Sequence, residues 1–296
     1  NAHAARGHSK EKRTDCPLFT LGLVLDSSGF PRRSQVYEGN VSEPKTLAEI
    51  LHDLEGGGTS TSQKPTIVMD AGIATDDNVA WLKEHGYPYL VVSRKKHREF
   101  AEEASVVVKN DDECTVRVQK VFDEKTQETL LYCHSSQREK KDQAIDDRVT
   151  NRLEEGLEKL AGGLVKKRCL KKYDKVMVQI GRLRQKYSRA SKQYTIAVEK
   201  DDTSGNATKI TWQQKAVENT TDSYPGVYCL RTSHTDWNES LLWNTYTMLT
   251  DLEAVFRSLK SELGLRPIHH QITDRVSGHL FITVLAYHLV HTIRVR

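Results

Sequence analysis

Cysteine is scarce and scattered in this chain. Its five cysteines (Cys16, Cys114, Cys133, Cys169 and Cys229) are odd in number and far apart. None sits in a Cys-x-x-Cys pair or at a Cys/His ligand spacing, which argues against a disulfide framework and a structural zinc site. A reducing compartment fits this usage best. Long apolar runs are missing too. The most apolar stretch, Leu280 to Val290, is too short for a membrane span and carries His288. No signal peptide, internal repeat or low-complexity tract is visible. Net charge is only +4, so the chain as a whole is not strongly basic.

The charge is nevertheless uneven. From Lys166 to Lys192 there are eleven Lys/Arg (166, 167, 168, 171, 172, 175, 182, 184, 186, 189, 192) against one acid, Asp174. Such a run suits a polyanion, or else is a solvated basic face. The 296 residues, 37% hydrophobic and 28% charged, can build one large domain or two modest ones.

Along the chain, residues 1–17 are polar and basic without periodicity. Leu18 to Leu25 is strand-like, Asp26-Ser-Ser-Gly29 is a turn, and Pro31 to Tyr37 returns as a second strand. Ser42 starts a helix with Pro44 in its first turn, running to about Glu55, and Gly56-Gly-Gly58 ends it. Pro65 to Asp70 is a short strand ending in an acid. Thr75 caps a helix to about His85, and Tyr87 to Val92 is a strand running into Ser93-Arg94-Lys95-Lys96-His97-Arg98. In open α/β sheets ligands bind at the carboxyl ends of strands. Beyond Glu99 the pattern changes. Short strand-like runs (104–108, 115–121, 129–134), a charged helix over about 143–160, the basic stretch, and strands at 194–198 and 227–230 read as an inserted α+β module.

The segment from Tyr246 to Lys260 reads as one helix. Tyr246, Glu253 and Lys260 are seven residues apart, nearly two turns, so they stack in line with Arg257 beside them. Leu249, Leu252, Phe256, Leu259 and Leu263 form an apolar stripe about a quarter turn away. A carboxylate flanked by cations and a phenol suits metal binding beside phosphates. The plainer alternative is a surface helix with a Glu253–Arg257 ion pair worth a few tenths of a kcal/mol. A second helix follows over about 273–293. His269, His270, His279 and His288 could suggest a metal site; the favoured reading makes His269 a DNA contact or a cap after Pro267, and His279 and His288 residues of a packed helix.

With these pieces in order the chain resembles the DDE transposases of bacterial insertion sequences, whose core is RNase H-like. The resemblance rests on Gly22 to Pro31, Gly39 to Leu47, Met69-Asp70-Ala-Gly72 to Asn78, Val176 to Lys186, Tyr246 to Lys260 and Leu265 to His269. The family signature of Tyr, two residues, Arg, three residues, Glu, six residues, Lys is met by Tyr246, Glu253 and Lys260, with Leu249 in the Arg position and Arg257 as a partial substitute. The resemblance implies an α/β fold: an RNase H-like mixed sheet interrupted by the inserted module. Its parts are 1–98 and 233–296 (core) and 99–232 (module). It implies DNA cleavage and strand transfer with Mg²⁺ (or Mn²⁺) held by Asp70 and Glu253. Tyr246, Arg257, Lys260, Arg94, Lys95, Lys96 and Arg98 would touch the DNA backbone. It further implies double-stranded DNA partners (terminal inverted repeats and target), a homodimer on DNA, no membrane, and a cytoplasmic, nucleoid-associated place in a prokaryote. A DNA-binding remnant without activity, and a nuclease that cuts without joining, are the alternatives.

The family's first acid lies on a first core strand upstream of the hairpin. Asp15 sits in a polar stretch, Asp26 in the hairpin turn, and Asp111-Asp112-Glu113 in a loop, so none replaces it. The expectation is therefore a fragment lacking both ends, with its first core strand absent, the hairpin displaced from the sheet, and no catalysis by the fragment alone.

Overall fold

The computed structural model describes residues 3–7, 15–55, 64–94, 100–215 and 224–296. The chain divides into two compact units: residues 1–94, 120–131 and 229–296 form the first, and 95–119 and 132–228 the second. Residues 120–131, assigned to the inserted module from the sequence, cluster with the first unit.

The first unit begins with a hairpin, β1 (Phe19–Leu25) and β2 (Pro31–Glu38), paired antiparallel. Asp26 shapes its turn: Oδ1 accepts the amides of Ser28 and Phe30, both at 2.9 Å, and Gly29 supplies φ 83°. The two faces of β1 meet different partners. Phe19, Leu21, Leu23 and Leu25 join one core, while Val24 joins another. This strand alternation explains why every β1 residue is half-buried.

A 3₁₀ turn, Glu43–Thr46, leads into α1 (Leu47–Glu55). Then come β3 (Ile67–Met69), α2 (Asp76–Glu84) and β4 (Tyr89–Val92). The Thr75 side chain accepts the Asn78 amide at 3.1 Å and so caps α2. β4 is almost wholly buried, as a central strand should be. It pairs parallel with β3 and antiparallel with a later strand, and Leu47, Leu51, Met69, Val79, Leu82 and Tyr89 fill the core beside it.

Between them lie β5 (Val106–Asn110), β6 (Thr115–Asp123), β7 (Glu128–Ser135), α3 (Ser136–Val165), α4 (Tyr173–Lys186), α5 (Ser188–Lys192), β8 (Tyr194–Lys200), β9 (Ala207–Gln214) and β10 (Val227–Thr232). Strands β6, β7 and β10 run through both units. The strand order is β3-β4-β10-β7-β6 in the first and β10-β7-β6-β5 in the second. This is a mixed sheet with helices, as an RNase H-like core requires. The β1–β2 hairpin forms a separate two-stranded sheet, as the sequence led us to expect.

The second unit has its own core. Leu153, Leu157, Val176, Ile180, Tyr194 and Ile210 join α3, α4 and the β8–β9 hairpin. The α3 helix extends well beyond the 143–160 expected, because Ser135 caps it seven residues earlier by accepting the Arg138 amide.

The chain ends in α6 (Glu239–Arg257), a π turn (Ser258–Glu262) and α7 (Thr273–Val295). By length and composition α7 could cross a membrane, which the shorter Leu280 to Val290 stretch could not. In this fold Val276, Leu280 and Tyr287 instead pack against the hairpin and Leu259.

Candidate active site

Asp70 follows β3 directly and is exposed. Its Oδ1 accepts the amides of Gly72 (2.9 Å) and Ile73 (3.2 Å), closing a tight turn. Gly72 lets this turn close without crowding: a Cβ there would stand 3.1 Å from the same oxygen. Arg94, at the exit of the neighbouring β4, donates from Nε to the Ala71 carbonyl (2.6 Å) and from Nη2 to the Gly72 carbonyl (2.9 Å). It thus holds the Asp70 loop from outside. Lys95, Lys96 and Arg98 lie outside the described residues.

Glu253 lies on α6, which packs on both β3 and β4. This helix starts seven residues before Tyr246, where the Asn238 side chain accepts the Leu241 amide at 2.8 Å. Glu253 and Arg257 are both exposed, and no ion pair joins them. The surface-pair alternative therefore has no contact behind it. Tyr246 and Leu249 are half-buried. The buried stripe near Glu253 is carried by Val255 and Leu259 (4% and 0% exposed), with Phe256 only partly covered. The sequence reading placed Phe256 in that stripe and omitted Val255. Beyond Arg257 the helix widens into the π turn, where Ser258 is buried and donates to Glu262 at 2.7 Å. Lys260 sits in this turn, exposed, with its ammonium 5.7 Å from the Phe256 ring centroid.

Among the described residues no three His, Cys, Asp or Glu side chains form a metal-binding group. Asp70 and Glu253 nonetheless fit a hard divalent ion. Both are exposed, neither is ion-paired among the described residues, and the bonds described to Asp70 engage only Oδ1.

The histidines go elsewhere. The His288 ring lies 5.8 Å from Phe30, and His279 lies 5.8 Å from His270. Asp111 closes a turn by accepting the amides of Glu113 and Cys114.

An acid–strand exit, a glycine turn and a facing helix with Tyr246, Glu253 and Lys260 belong together in one known pattern. The sequence pattern of the transposase DDE domain matches residues 2–289. The chain belongs to the transposase DDE domain family. No curated protein matches it. Membership in the transposase family carries the function, DNA transposition, and with it DNA as the polymer acted upon.

A buried network in the first unit was not anticipated. Glu128, 1% exposed, is ion-paired to Lys83 (2.7 Å) and Arg231 (2.8 Å) and accepts the Tyr89 hydroxyl. Burial pushes the Glu128 carboxyl up, but hydrogen bonds from Arg231, Lys83 and Tyr89 outweigh this and hold it at about 2. Burial and the Glu128 bond together push the Tyr89 phenol far up. Arg231 also reaches Asp76 at 3.1 Å, tying β10 to the start of α2. Glu128 is buried, with Arg231 nearly so, and Lys83 and Asp76 reach in from the surface to this network beside β4 and β10.

Proposed function

We infer that Asp70 and Glu253 are two of the carboxylates that hold divalent metal for cleavage and strand transfer at the ends of a mobile DNA element. The packing of α6 on β3 and β4 carries this reading, because it sets an exposed acid at a strand end beside a helix bearing a second one. When bound, Mg²⁺ or Mn²⁺ supplies activation of the nucleophilic oxygen and stabilisation of the leaving oxygen. Asp70 is pre-set for this by its turn, so no side-chain rearrangement is needed to present Oδ2. Lys260, Arg257 and Tyr246 place the DNA backbone without reading bases. Arg94 acts by fixing the Asp70 loop, and Lys95, Lys96 and Arg98, which follow it in sequence, are further phosphate contacts in this reading.

A third carboxylate completes the set in this reading, carried on a strand that pairs along the free edge of β3. Among the described strands β3 pairs only with β4, and β1 only with β2, so both present open edges. The DNA partners are terminal inverted repeats and a target duplex, handled in the prokaryotic cytoplasm at the nucleoid. Two copies act together. The outer face of α7 exposes Phe281, Ile282, Leu285 and Leu289 (64%, 64%, 50% and 63%), and a second copy is the occupant we assign to it. Antiparallel pairing centred on Leu285 sets Phe281 opposite Leu289, a self-complementary arrangement.

The test is DNA cleavage by the chain extended through the reading frame upstream of Asn1. Asp70→Asn and Glu253→Gln each abolish Mg²⁺-dependent cleavage and leave DNA binding largely intact. Cleavage retained by either variant overturns the assignment, and cleavage by the unextended chain overturns the third carboxylate. Strand-joining products separate transposition from simple nuclease action.

A further inference from the structure

The basic stretch becomes a definite surface once α4 is in place. Each helical residue advances by about 100°, so Lys175, Arg182 and Lys186 fall within an arc of roughly 40°. All three are exposed. A flank of α4 turned roughly 100–140° from the ridge is locked, with Val176 and Ile180 only 1% and 2% exposed. Gly156 of α3 permits close contact there: a Cβ at this position would stand 2.8 Å from a Leu183 methyl. The ridge is therefore held facing outward by the packing of the second unit.

Among the described residues none of the three cations has a carboxylate partner. Their neighbours in the same stretch differ. Arg189 pairs with Asp146 at 3.0 Å, and Arg184 donates to the Ile196 carbonyl at 3.4 Å. The one acid, Asp174, points about 100° away from Lys175 around the helix. Lys166, Lys167 and Lys172 lie exposed just before α4 and add to the same charge. Like charges at helical spacing repel one another, so a row left unneutralised is relieved by a polyanion. From Lys175 to Lys186 the ridge runs about 16 Å at 1.5 Å per residue. A duplex aligned with it presents roughly ten backbone charges over that length.

We propose that Lys175, Arg182 and Lys186 form a phosphate-docking ridge for duplex DNA, distinct from Asp70 and Glu253. Only the identity of the polymer rests on the transposase reading. The ridge sets how strongly and in what orientation the DNA is held, without sequence choice, since backbone contacts carry no base information.

The experiment measures the affinity of the full 296-residue chain for a short duplex of arbitrary sequence as salt is varied between about 50 and 200 mM. Combining Lys175→Gln, Arg182→Gln and Lys186→Gln is expected to reduce the slope of log affinity against log salt by about 2.7. The control combines Lys140→Gln, Lys141→Gln and Arg148→Gln on the exposed side of α3, removing the same charge elsewhere; it should change the slope by much less. Circular dichroism melting checks that both triples fold. An unchanged slope in the ridge triple overturns the proposal, as does an equal loss in the α3 triple or duplex binding by the wild-type chain that does not vary with salt. No cleavage is read, so this outcome judges the ridge alone, and the metal-site reading stands or falls separately on cleavage by the extended chain.

Discussion

The His291 ring on α7 donates from Nε2 to the Ser28 carbonyl in the hairpin turn, at 2.6 Å. The same ring lies 4.5 Å from Phe30 and 5.3 Å from Tyr287 by centroid, and a Cβ on Gly29 would come within 3.2 Å of it. The hairpin pairs with no strand of the larger sheet, so side-chain packing holds it together with this tie and those from Arg33 to the Asp53 carbonyl and from Gln35 to Glu49 on α1. His291→Ala is expected to cost about 1 kcal/mol and to speed amide exchange in β1 and β2 selectively. Gly29→Ala should do more, because it adds a strained φ to the same contact. Hydrogen exchange followed by mass spectrometry distinguishes the hairpin from the rest of the chain.

The Glu128 network makes stability depend on acid. Its folded value of about 2 lies below the ordinary 4.5. A depressed carboxyl stabilises the fold above the unfolded value and loses that contribution as pH falls from about 4.5 through about 2. The contribution at neutral pH is on the order of 3 kcal/mol. Glu128→Gln removes the carboxylate that Lys83 and Arg231 share and is expected to cost a similar amount. It should also flatten the acid limb of a stability-versus-pH curve measured by urea unfolding.

Asp70 has a structural use that can be separated from its chemical one. An asparagine oxygen also accepts the Gly72 and Ile73 amides, so Asp70→Asn should shift stability by less than about 0.5 kcal/mol. Asp70→Ala loses both bonds and should cost about 1 kcal/mol. Thermal melts of the two variants check the difference. If Asp70→Asn melts as low as Asp70→Ala, the carboxylate charge is structural.

Charging the outer face of α7 tests the pairing of copies. Leu285→Glu with Leu289→Glu is expected to leave the melting temperature nearly unchanged and to convert dimers on DNA to monomers in sedimentation. Both residues are already more than half or about half exposed, so the core loses little. Dimers that persist in this variant contradict the assigned surface.

Much of the first unit was legible because its signals are local. Asp26 and Gly29 specify the hairpin turn, Thr75 caps α2 within three residues, and β3 is a short apolar run that stops at an acid. The helix bearing Glu253 was legible from its spacing, but its start was not, since the Asn238 cap precedes a stretch with weak periodicity. β9 was missed because its apolar residues Ala207, Ile210 and Trp212 alternate imperfectly among polar ones. α4 read only as a basic stretch because Gly181 and four scattered cations mask the Val176–Ile180–Leu183 stripe. The Glu128 network could not be read at all: its partners Tyr89 and Arg231 stand 39 and 103 residues away. Residue type marked the acids, whereas the role of Arg94 as a clamp on the Asp70 loop needed the fold.

The most direct test of the metal site is iron-directed backbone cleavage. Fe²⁺ with ascorbate and peroxide, added to the upstream-extended chain bound to DNA, cuts the polypeptide next to wherever the ion sits. The account predicts cuts flanking both residue 70 and residue 253, suppressed by excess Mg²⁺ and lost in Asp70→Asn. Cuts confined to one of these positions, or a pattern unchanged by both Asp70→Asn and Glu253→Gln, would contradict it.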